Sequence, residues 1–208
     1  GFRRIRVSER PRGGYPAEQR ANHEAGGFSV LSSSTLCDAG FLSLSRHRVA
    51  GPDGDEFDRH VVHHPGAVVV VPILDGDALM VRQYRVAARR ELLEVPAGKR
   101  DVDGETPEAT ANRELEEEIG FHAGRLDRLC EFYNSPGFCD EYTHLFLATE
   151  LEARARTAVS AEEAAMTVER VALDRVDLLI ATGEIIDAKS IIGLLLARRF
   201  LAGEFGGT

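Results

Sequence analysis

Residues 98–121 read Gly98-Lys-Arg-Asp-Val-Asp-Gly-Glu105-Thr-Pro-Glu-Ala-Thr-Ala-Asn-Arg113-Glu-Leu-Glu-Glu-Glu-Ile-Gly120-Phe121. The pattern predicts a polar turn followed by one acidic helix. Thr106 is a suitable N-cap, and Pro107 suits the first helical position because that position needs no backbone N–H donor. Gly120 marks the end of the helix. This segment therefore carries its own start and stop signals.

The predicted helix has one apolar edge and one acidic arc. At about 100° per residue, the apolar edge carries Ala111, Leu115 and Ile119. The adjacent arc carries Glu114, Glu117 and Glu118, whereas Glu116 falls toward solvent. Three carboxylates on one turn repel each other, and no Lys or Arg follows four positions later. A solvated acidic face is one interpretation. The other is a site for Mg²⁺ or Mn²⁺, which prefer oxygen ligands.

The flanking residues favour the second interpretation, because the stretch resembles the Nudix box. That pattern is Gly, five residues, Glu, seven residues, Arg-Glu, an aliphatic, any residue, Glu-Glu, any residue, Gly and an aliphatic. Glu105, Arg113 and Gly120 match it, and Phe121 stands in for the last aliphatic. Gly98 lies one residue too far from Glu105, which places an extra residue in the turn, where insertions cost little.

The resemblance implies an α/β/α sandwich with a mixed sheet, and two or three Mg²⁺ or Mn²⁺ ions per site. Glu114, Glu118 and the carbonyl of Ala97 would be metal ligands, and Glu117 a ligand or a neighbour of one that shares in catalysis. Arg113 would orient the glutamates, with Glu105 paired to it. Gly98 and Gly120 would support the box structurally. The residues to which the resemblance assigns a role in the box are thus Glu114, Glu118, Ala97, Glu117, Arg113, Glu105, Gly98 and Gly120.

Beyond the box, the chain looks like the ADP-ribose pyrophosphatase branch. Pro136 lies sixteen residues after Gly120, as in that branch, and the surrounding residues 135–141 resemble its mobile catalytic loop. The resemblance implies that Glu141 is the general base. An idle carboxylate in a polar hairpin loop is the alternative interpretation.

Three further matches concern substrate binding. Phe41 resembles an aromatic that stacks on adenine, often across a dimer interface, although a strand Phe is as often core. Arg85 matches an arginine near the diphosphate, and Arg59 a residue near the adenine end; either could be a solvated charge. His63 and His64 have no third ligand at zinc spacing.

These features predict a metal-dependent enzyme that hydrolyses ADP-ribose to AMP and ribose 5-phosphate. The box cannot separate ADP-ribose from other nucleoside diphosphate sugars, dinucleoside polyphosphates, FAD or NADH, because it binds the diphosphate common to all. A non-catalytic ADP-ribose-binding module is a remote alternative, since the box glutamates are complete. No GxSxG or GKS/GKT motif supports a serine hydrolase or a phosphate-loop enzyme.

The rest of the chain predicts an α/β fold around one core. Residues 1–27 are predicted to be a polar tail, 28–62 a β-strand region that could exchange between subunits of a homodimer, and 63–204 the catalytic domain. Predicted strands include residues 41–49, 57–62, 68–74, 78–84, 91–95, 125–132, 143–149 and 166–173, and predicted helices follow at 176–182 and 188–201.

Composition narrows the partners. The net charge of -9 argues against nucleic acid and anionic membranes, which need a basic surface. The three cysteines have no close spacing, which fits a reducing cytoplasm. The longest apolar run, residues 67–74, is shorter than the roughly 20 residues that a membrane helix needs. We therefore expect a cytoplasmic protein with a small-molecule substrate.

Overall fold

A computed structural model describes residues 26–156 and 160–204. Its strands are β1 (Ser29–Ala39), β2 (Leu42–Ala50), β3 (Glu56–His63), β4 (Ala67–Leu74), β5 (Asp77–Arg85), β6 (Arg90–Glu94), β7 (Ala97–Lys99), β8 (Phe121–Tyr133), β9 (Tyr142–Ala153) and β10 (Thr167–Ala172). Its helices are α1 (Pro107–Ile119), α2 (Ala161–Ala165), α3 (Val176–Ala181) and α4 (Ala188–Leu201). Apart from its last two residues, the predicted tail 1–27 lies outside the described residues.

The larger sheet is mixed. Its strand order is β10-β5-β4-β9-β8, with β6 paired to β5 and β7 paired to β4. The central pair, β4 and β9, is parallel, and the other pairs are antiparallel. A parallel pair needs a long crossover, and residues 75–141 supply it. This crossover includes the acidic helix α1.

Strand β4 lies at the centre because its valines can be buried on both faces. Val69 and Val71 belong to the core on the α3 and α4 side, whereas Val68 and Val70 belong to the core on the α1 side. Helices therefore cover both faces of the sheet, and the predicted α/β/α sandwich is confirmed.

Residues 29–63 form a separate three-stranded sheet of order β1-β2-β3. The sequence predicted a β region here but no strand over residues 29–39, because that run is rich in serine rather than alternating. Almost every side chain of β1 is exposed. The edge is thus uncovered within the described residues, and it carries apolar side chains at Val30, Leu31 and Leu36.

Local signals explain several boundaries. Asp75 and Gly76 both have positive φ, 52° and 88°, which is the geometry of a tight hairpin between β4 and β5. Asp187 caps α4 by accepting from Ser190 N at 2.9 Å, so the helix begins at Ala188 as predicted. No helix among the described residues is long and apolar enough to cross a membrane.

Candidate active site

A cleft of about 630 Å³ opens over the C-terminal half of α1, the end of β5 and strand β7. Its walls come from both sheets and from the segment around α2. The lining residues are Phe41, His64, Ala67, Gln83, Arg85, Ala97, Gly98, Lys99, Asp101, Arg113, Glu114, Glu117, Glu118, Glu141, Ser160, Glu162, Glu163, Met166 and Lys189. Most of the residues singled out from the sequence therefore meet in one place.

Helix α1 has the predicted ends. The Thr106 hydroxyl accepts from Ala109 N at 3.2 Å, and Pro107 occupies the first turn. Gly120 closes the helix with φ 71° and donates its N–H to the carbonyl of Leu115. A Cβ at Gly120 would lie 3.1 Å from the carbonyl oxygen of Arg154, so both the backbone angle and the space require glycine.

The acidic arc of α1 faces the cleft. Glu114 and Glu118 are 8% and 4% exposed, which is unusual for carboxylates. Burial raises the pKa of Glu114 to about 7, with Arg113 opposing and Glu117 adding to the rise. Burial and the charge of Glu114 raise the pKa of Glu118 to about 8. The pair is therefore short of positive charge at neutral pH.

Backbone of β7 packs directly on these carboxylates. The N–H of Ala97 donates to Glu118 Oε2 at 3.2 Å. A Cβ at Gly98 would overlap the carboxylate of Glu114, so any other residue here would displace that carboxylate. The residue by which this chain exceeds the Nudix pattern between Gly98 and Glu105 lies in a turn. There the N–H of Glu105 donates to the carbonyl of Val102 at 3.2 Å. The insertion thus leaves the approach of Gly98 to the helix intact.

Arg113 organises the same carboxylates. Its Nη1 donates to Glu114 Oε1 at 2.6 Å and to Glu117 Oε2 at 3.1 Å, and its Nε donates to Glu105 Oε1 at 3.1 Å. The hydrogen bond from Arg113 lowers the pKa of Glu105. Arg113, one residue before Glu114 and four before Glu117, thus supplies the positive charge that no Lys or Arg after the glutamates provides.

A divalent cation fits this donor set. Two buried carboxylates with raised pKa values, a third beside them and a closely packed strand backbone offer hard oxygen ligands and unbalanced negative charge. In residues 26–156 and 160–204, no three carboxylate, imidazole or thiol groups already surround one point as ligands. Arg113 instead holds Glu114 and Glu117.

A cationic wall stands beside the carboxylates. Arg85 binds Glu94 through two 2.8 Å hydrogen bonds, and this contact raises the pKa of Arg85. Glu94 is only 1% exposed, so the guanidinium is held rigidly. Lys189 lies 4.0 Å from Glu94 and binds Asp187 at 2.6 Å. The sequence indicated Arg85 but not Lys189, which lies in the first turn of α4.

The opposite end of the cleft holds Phe41. Its ring meets the ring of His64 edge to face, with centroids 5.7 Å apart, and the Lys99 ammonium lies 4.4 Å from the Phe41 centroid. One face of Phe41 is thus covered by a cation. Glu141 also lines this cleft, and its charge opposes the lowering of the His64 pKa that burial causes.

Two predicted substrate residues do not line the cleft. Arg59 lies on β3 with its guanidinium 4.3 Å from the centroid of Phe57, and it donates to the carbonyl of Asp58. Pro136 is exposed in the loop after β8. The same loop is tied to β3, since Val62 N donates to the carbonyl of Phe138 at 2.7 Å.

His63 is engaged elsewhere. Its Nδ1 lies 2.7 Å from Asp140 Oδ2, while the N–H of His64 donates to Asp140 Oδ1 at 2.8 Å. Asp140 therefore links the end of β3 to the start of β9. Asp140 thus holds the His63 ring and the His64 backbone in place.

Sequence reasoning missed the carboxylates around α2. Glu162 and Glu163 line the cleft, and the charge of Glu163 is among the causes that raise the pKa of Glu114. A signal was present, because Ser160 and Glu163 have the spacing of a capping box. Glu163 N donates to the Ser160 hydroxyl at 3.1 Å, and that hydroxyl donates to Glu163 Oε1 at 2.9 Å.

Comparisons with known proteins agree with this site. A family model described as NUDIX domain matches residues 63–191. An ADP-ribose pyrophosphatase of Bacillus subtilis is 43% identical over 162 residues, which is 77% of this chain and 87% of that protein. An ADP-ribose pyrophosphatase of Mycobacterium tuberculosis is 38% identical over 177 residues, 85% of this chain and 86% of that protein. A solved structure titled as an ADP compounds hydrolase has a similar fold, with TM-score 0.77 at 22% identity, over 88% of this chain and 98% of that one.

Proposed function

The chain belongs to the NUDIX family and is a Nudix hydrolase, and we propose that it hydrolyses the diphosphate of ADP-ribose to AMP and ribose 5-phosphate. The observation that carries the proposal is the cleft in which buried Glu114 and Glu118 face Arg85 across one surface. Carboxylates that gather a divalent cation, next to a fixed guanidinium, suit a diphosphate. The named relatives make ADP-ribose the first substrate to test.

The cofactor is proposed to be Mg²⁺ or Mn²⁺, with two or three ions per site. Glu114, Glu117, Glu118 and the carbonyl of Ala97 would hold them. When bound, such ions offset phosphate charge and acidify water. The approach of Gly98 to Glu114 supports a geometry that keeps the carboxylate aimed into the cleft.

Arg113 and Glu105 act on the carboxylates rather than on substrate. Arg113 orients Glu114 and Glu117 through its 2.6 and 3.1 Å hydrogen bonds, and Glu105 holds the other edge of the guanidinium. Gly120 ends the helix so that β8 can begin at once. These contacts restrict the glutamates to one orientation before substrate arrives.

Two carboxylates are candidates for the general base. Glu141 was the sequence prediction, and it lines the cleft beside His64. Glu163 lines it as well, and its charge is among the causes that raise the pKa of Glu114, a proposed metal ligand. On this ground we propose Glu163 as the first candidate. A general base loses its function when the carboxylate becomes an amide, so Glu141→Gln and Glu163→Gln separate the two assignments.

The variant that lowers kcat while metal binding stays near normal identifies the base. A rise in KM with kcat unchanged would instead indicate a substrate contact. Glu118→Gln should lower turnover far more than either, because it removes a metal ligand. Near-normal Mg²⁺-dependent activity of Glu118→Gln would refute the metal assignment.

For substrate binding, Arg85 is proposed to contact the diphosphate and Phe41 to stack on adenine with the ring face that Lys99 leaves open. Arg59 and Pro136 lie outside the cleft of their own chain. We therefore propose that these two residues contact substrate bound in the cleft of a second subunit.

A homodimer is proposed on the same grounds. Strand β1 exposes Val30, Leu31 and Leu36 on an uncovered edge, a surface that a second copy could bury. The domain boundaries proposed from the sequence place this strand in residues 28–62. Light scattering of the wild-type protein and of Leu31→Asp tests the dimer.

The free cysteines support a reducing, cytoplasmic setting.

The substrate test is a phosphate-release screen with a coupled phosphatase and Mg²⁺. It compares ADP-ribose with ADP-glucose, GDP-mannose, diadenosine tetraphosphate, FAD and NADH. ADP-ribose should have the highest kcat/KM. Another compound in first place would replace the substrate and leave the reaction class unchanged.

A further inference from the structure

His64 has a fixed orientation at the end of the cleft. Its Nδ1 accepts a hydrogen bond from the N–H of Gly66 at 3.0 Å. Gly66 has φ 94°, and a Cβ there would lie 3.1 Å from the carbonyl oxygen of Tyr142. Glycine is therefore required to make the turn that reaches the imidazole. The ring is further held by its edge-to-face contact with Phe41.

This orientation selects one tautomer. Because Nδ1 accepts a hydrogen bond from a backbone N–H, the neutral ring carries its own proton on Nε2. Burial lowers the pKa of His64, which agrees with a neutral ring. Within the described ranges, no side chain or backbone group hydrogen-bonds Nε2. His64 thus offers the cleft an unused N–H donor.

Glu141 offers an acceptor beside it. His64 precedes β4 and Glu141 precedes β9, and these strands are parallel neighbours, with Ala67 opposite Thr143. Both residues therefore lie at the same end of the two paired strands, and both line the cleft. The influence of the Glu141 charge on His64 agrees with this proximity.

A donor and an acceptor side by side suit a hydroxyl group, which both accepts and donates. A phosphate oxygen only accepts, and the Glu141 carboxylate would repel it. A purine would rest on the face of Phe41 that Lys99 leaves open, rather than between the imidazole and the carboxylate. We propose that His64 and Glu141 bind a ribose hydroxyl of the substrate: His64 Nε2–H donates to the oxygen, and the hydroxyl donates to Glu141. This assignment rests on the proposed function.

Two substitutions of His64 separate its two hydrogen bonds. The Asn side chain can place an acceptor near the Nδ1 position, so His64→Asn keeps the bond with Gly66 and removes the donor from the cleft. The Gln side chain can place its amide nitrogen near the Nε2 position, so His64→Gln keeps the donor and loses the bond with Gly66. A purely structural histidine would show the opposite ranking in its kinetics.

His64→Asn should therefore raise KM roughly 3- to 10-fold, the usual value of one neutral hydrogen bond, with kcat and thermal stability near wild type. His64→Gln should show a KM near wild type and a lower melting temperature. Unchanged KM in His64→Asn, or an equal rise in both variants, would overturn the assignment.

Deoxy analogues of ADP-ribose identify the hydroxyl. Each lacks one hydroxyl, and the set covers every hydroxyl of the adenosine ribose and of the terminal ribose. The analogue that the wild-type protein binds more weakly, and whose affinity no longer responds to His64→Asn, lacks the hydroxyl in question. If every analogue still responds to the substitution, His64 does not bind a ribose hydroxyl.

The readouts distinguish this proposal from the proposed function. Wild-type turnover of ADP-ribose tests the function first. Calorimetric binding of ADP-ribose to metal-free wild-type and His64→Asn protein then tests the hydrogen bond without any reaction. Turnover with no difference in binding would refute only the role of His64, whereas a binding difference without turnover would refute only the hydrolysis.

Discussion

In the metal-free protein, the free energy of unfolding should fall as pH rises from 6 to 8. Glu114 and Glu118 have folded-state pKa values of about 7 and about 8, above the ordinary value of 4.5. At a pH between 4.5 and these folded-state pKa values, the two carboxyl groups are ionised in the unfolded chain but still protonated in the folded protein. The unfolded state thus binds fewer protons, and the free energy of unfolding falls with rising pH.

The size of the effect follows from those pKa values. From pH 6 to pH 8, Glu114 contributes a loss of about 1 kcal/mol and Glu118 a loss of about 2 kcal/mol. Together they lower the free energy of unfolding by about 3 kcal/mol, which for a chain of this length lowers the melting temperature by roughly 6–12 °C. Saturating Mg²⁺ should remove most of this loss, since the ionised carboxylates then have a counter-charge.

Urea unfolding in EDTA at pH 6, 7 and 8 measures the effect, with Glu118→Gln as the test variant. This variant should lose about 2 kcal/mol less than wild type over the range, because its amide cannot ionise. Glu116→Gln is the matched control, since Glu116 is 40% exposed on the same turn. Buried histidines with lowered pKa values act in the opposite direction but equally in all three proteins. Equal pH slopes for wild type and Glu118→Gln would refute the reasoning.

Two glycine substitutions test how closely the elements pack. Gly98→Ala should reduce Mg²⁺ affinity and kcat, because its methyl group would overlap the Glu114 carboxylate and turn it away; isothermal titration with Mg²⁺ and a rate assay check this. Gly193→Ala should leave activity intact but destabilise the fold through overpacking, because its Cβ would lie 2.9 Å from Val71 Cγ2. Each kcal/mol of destabilisation lowers the melting temperature by about 2–4 °C. Gly51→Ala is the control, since its Cβ would meet only ordinary contacts, and an effect as large as at the other two positions would contradict both predictions.

Local signals made the elements around the site predictable. The caps at Thr106 and Gly120 fix α1, and Asp187 fixes the start of α4. These residues satisfy backbone groups through near neighbours in the chain, so the information is contained in a few positions. The same holds for the apolar edge of α1, which is buried as its spacing predicts.

What the sequence left open depends on distant partners. Strand β7 is three residues long and exists because β4 pairs with it. The position of Lys189 in the cleft depends on α4 docking beside Glu94. Glu163 approaches Glu114 only because β10 joins the edge of the sheet next to α2. Spacing along the chain carries no direct record of such contacts.

The parallel pair of β4 and β9 has a consequence for synthesis of the protein. His64 and Glu141 stand at the starts of these two strands, so they become neighbours only when residues 67–72 have joined residues 143–148. Pairing across so many intervening residues is slow, because the chain loses much freedom before any contact forms. A nascent chain that has emerged only as far as α1 therefore carries its acidic helix but has no complete cleft. Catalytic competence should arise late, after β9 leaves the ribosome.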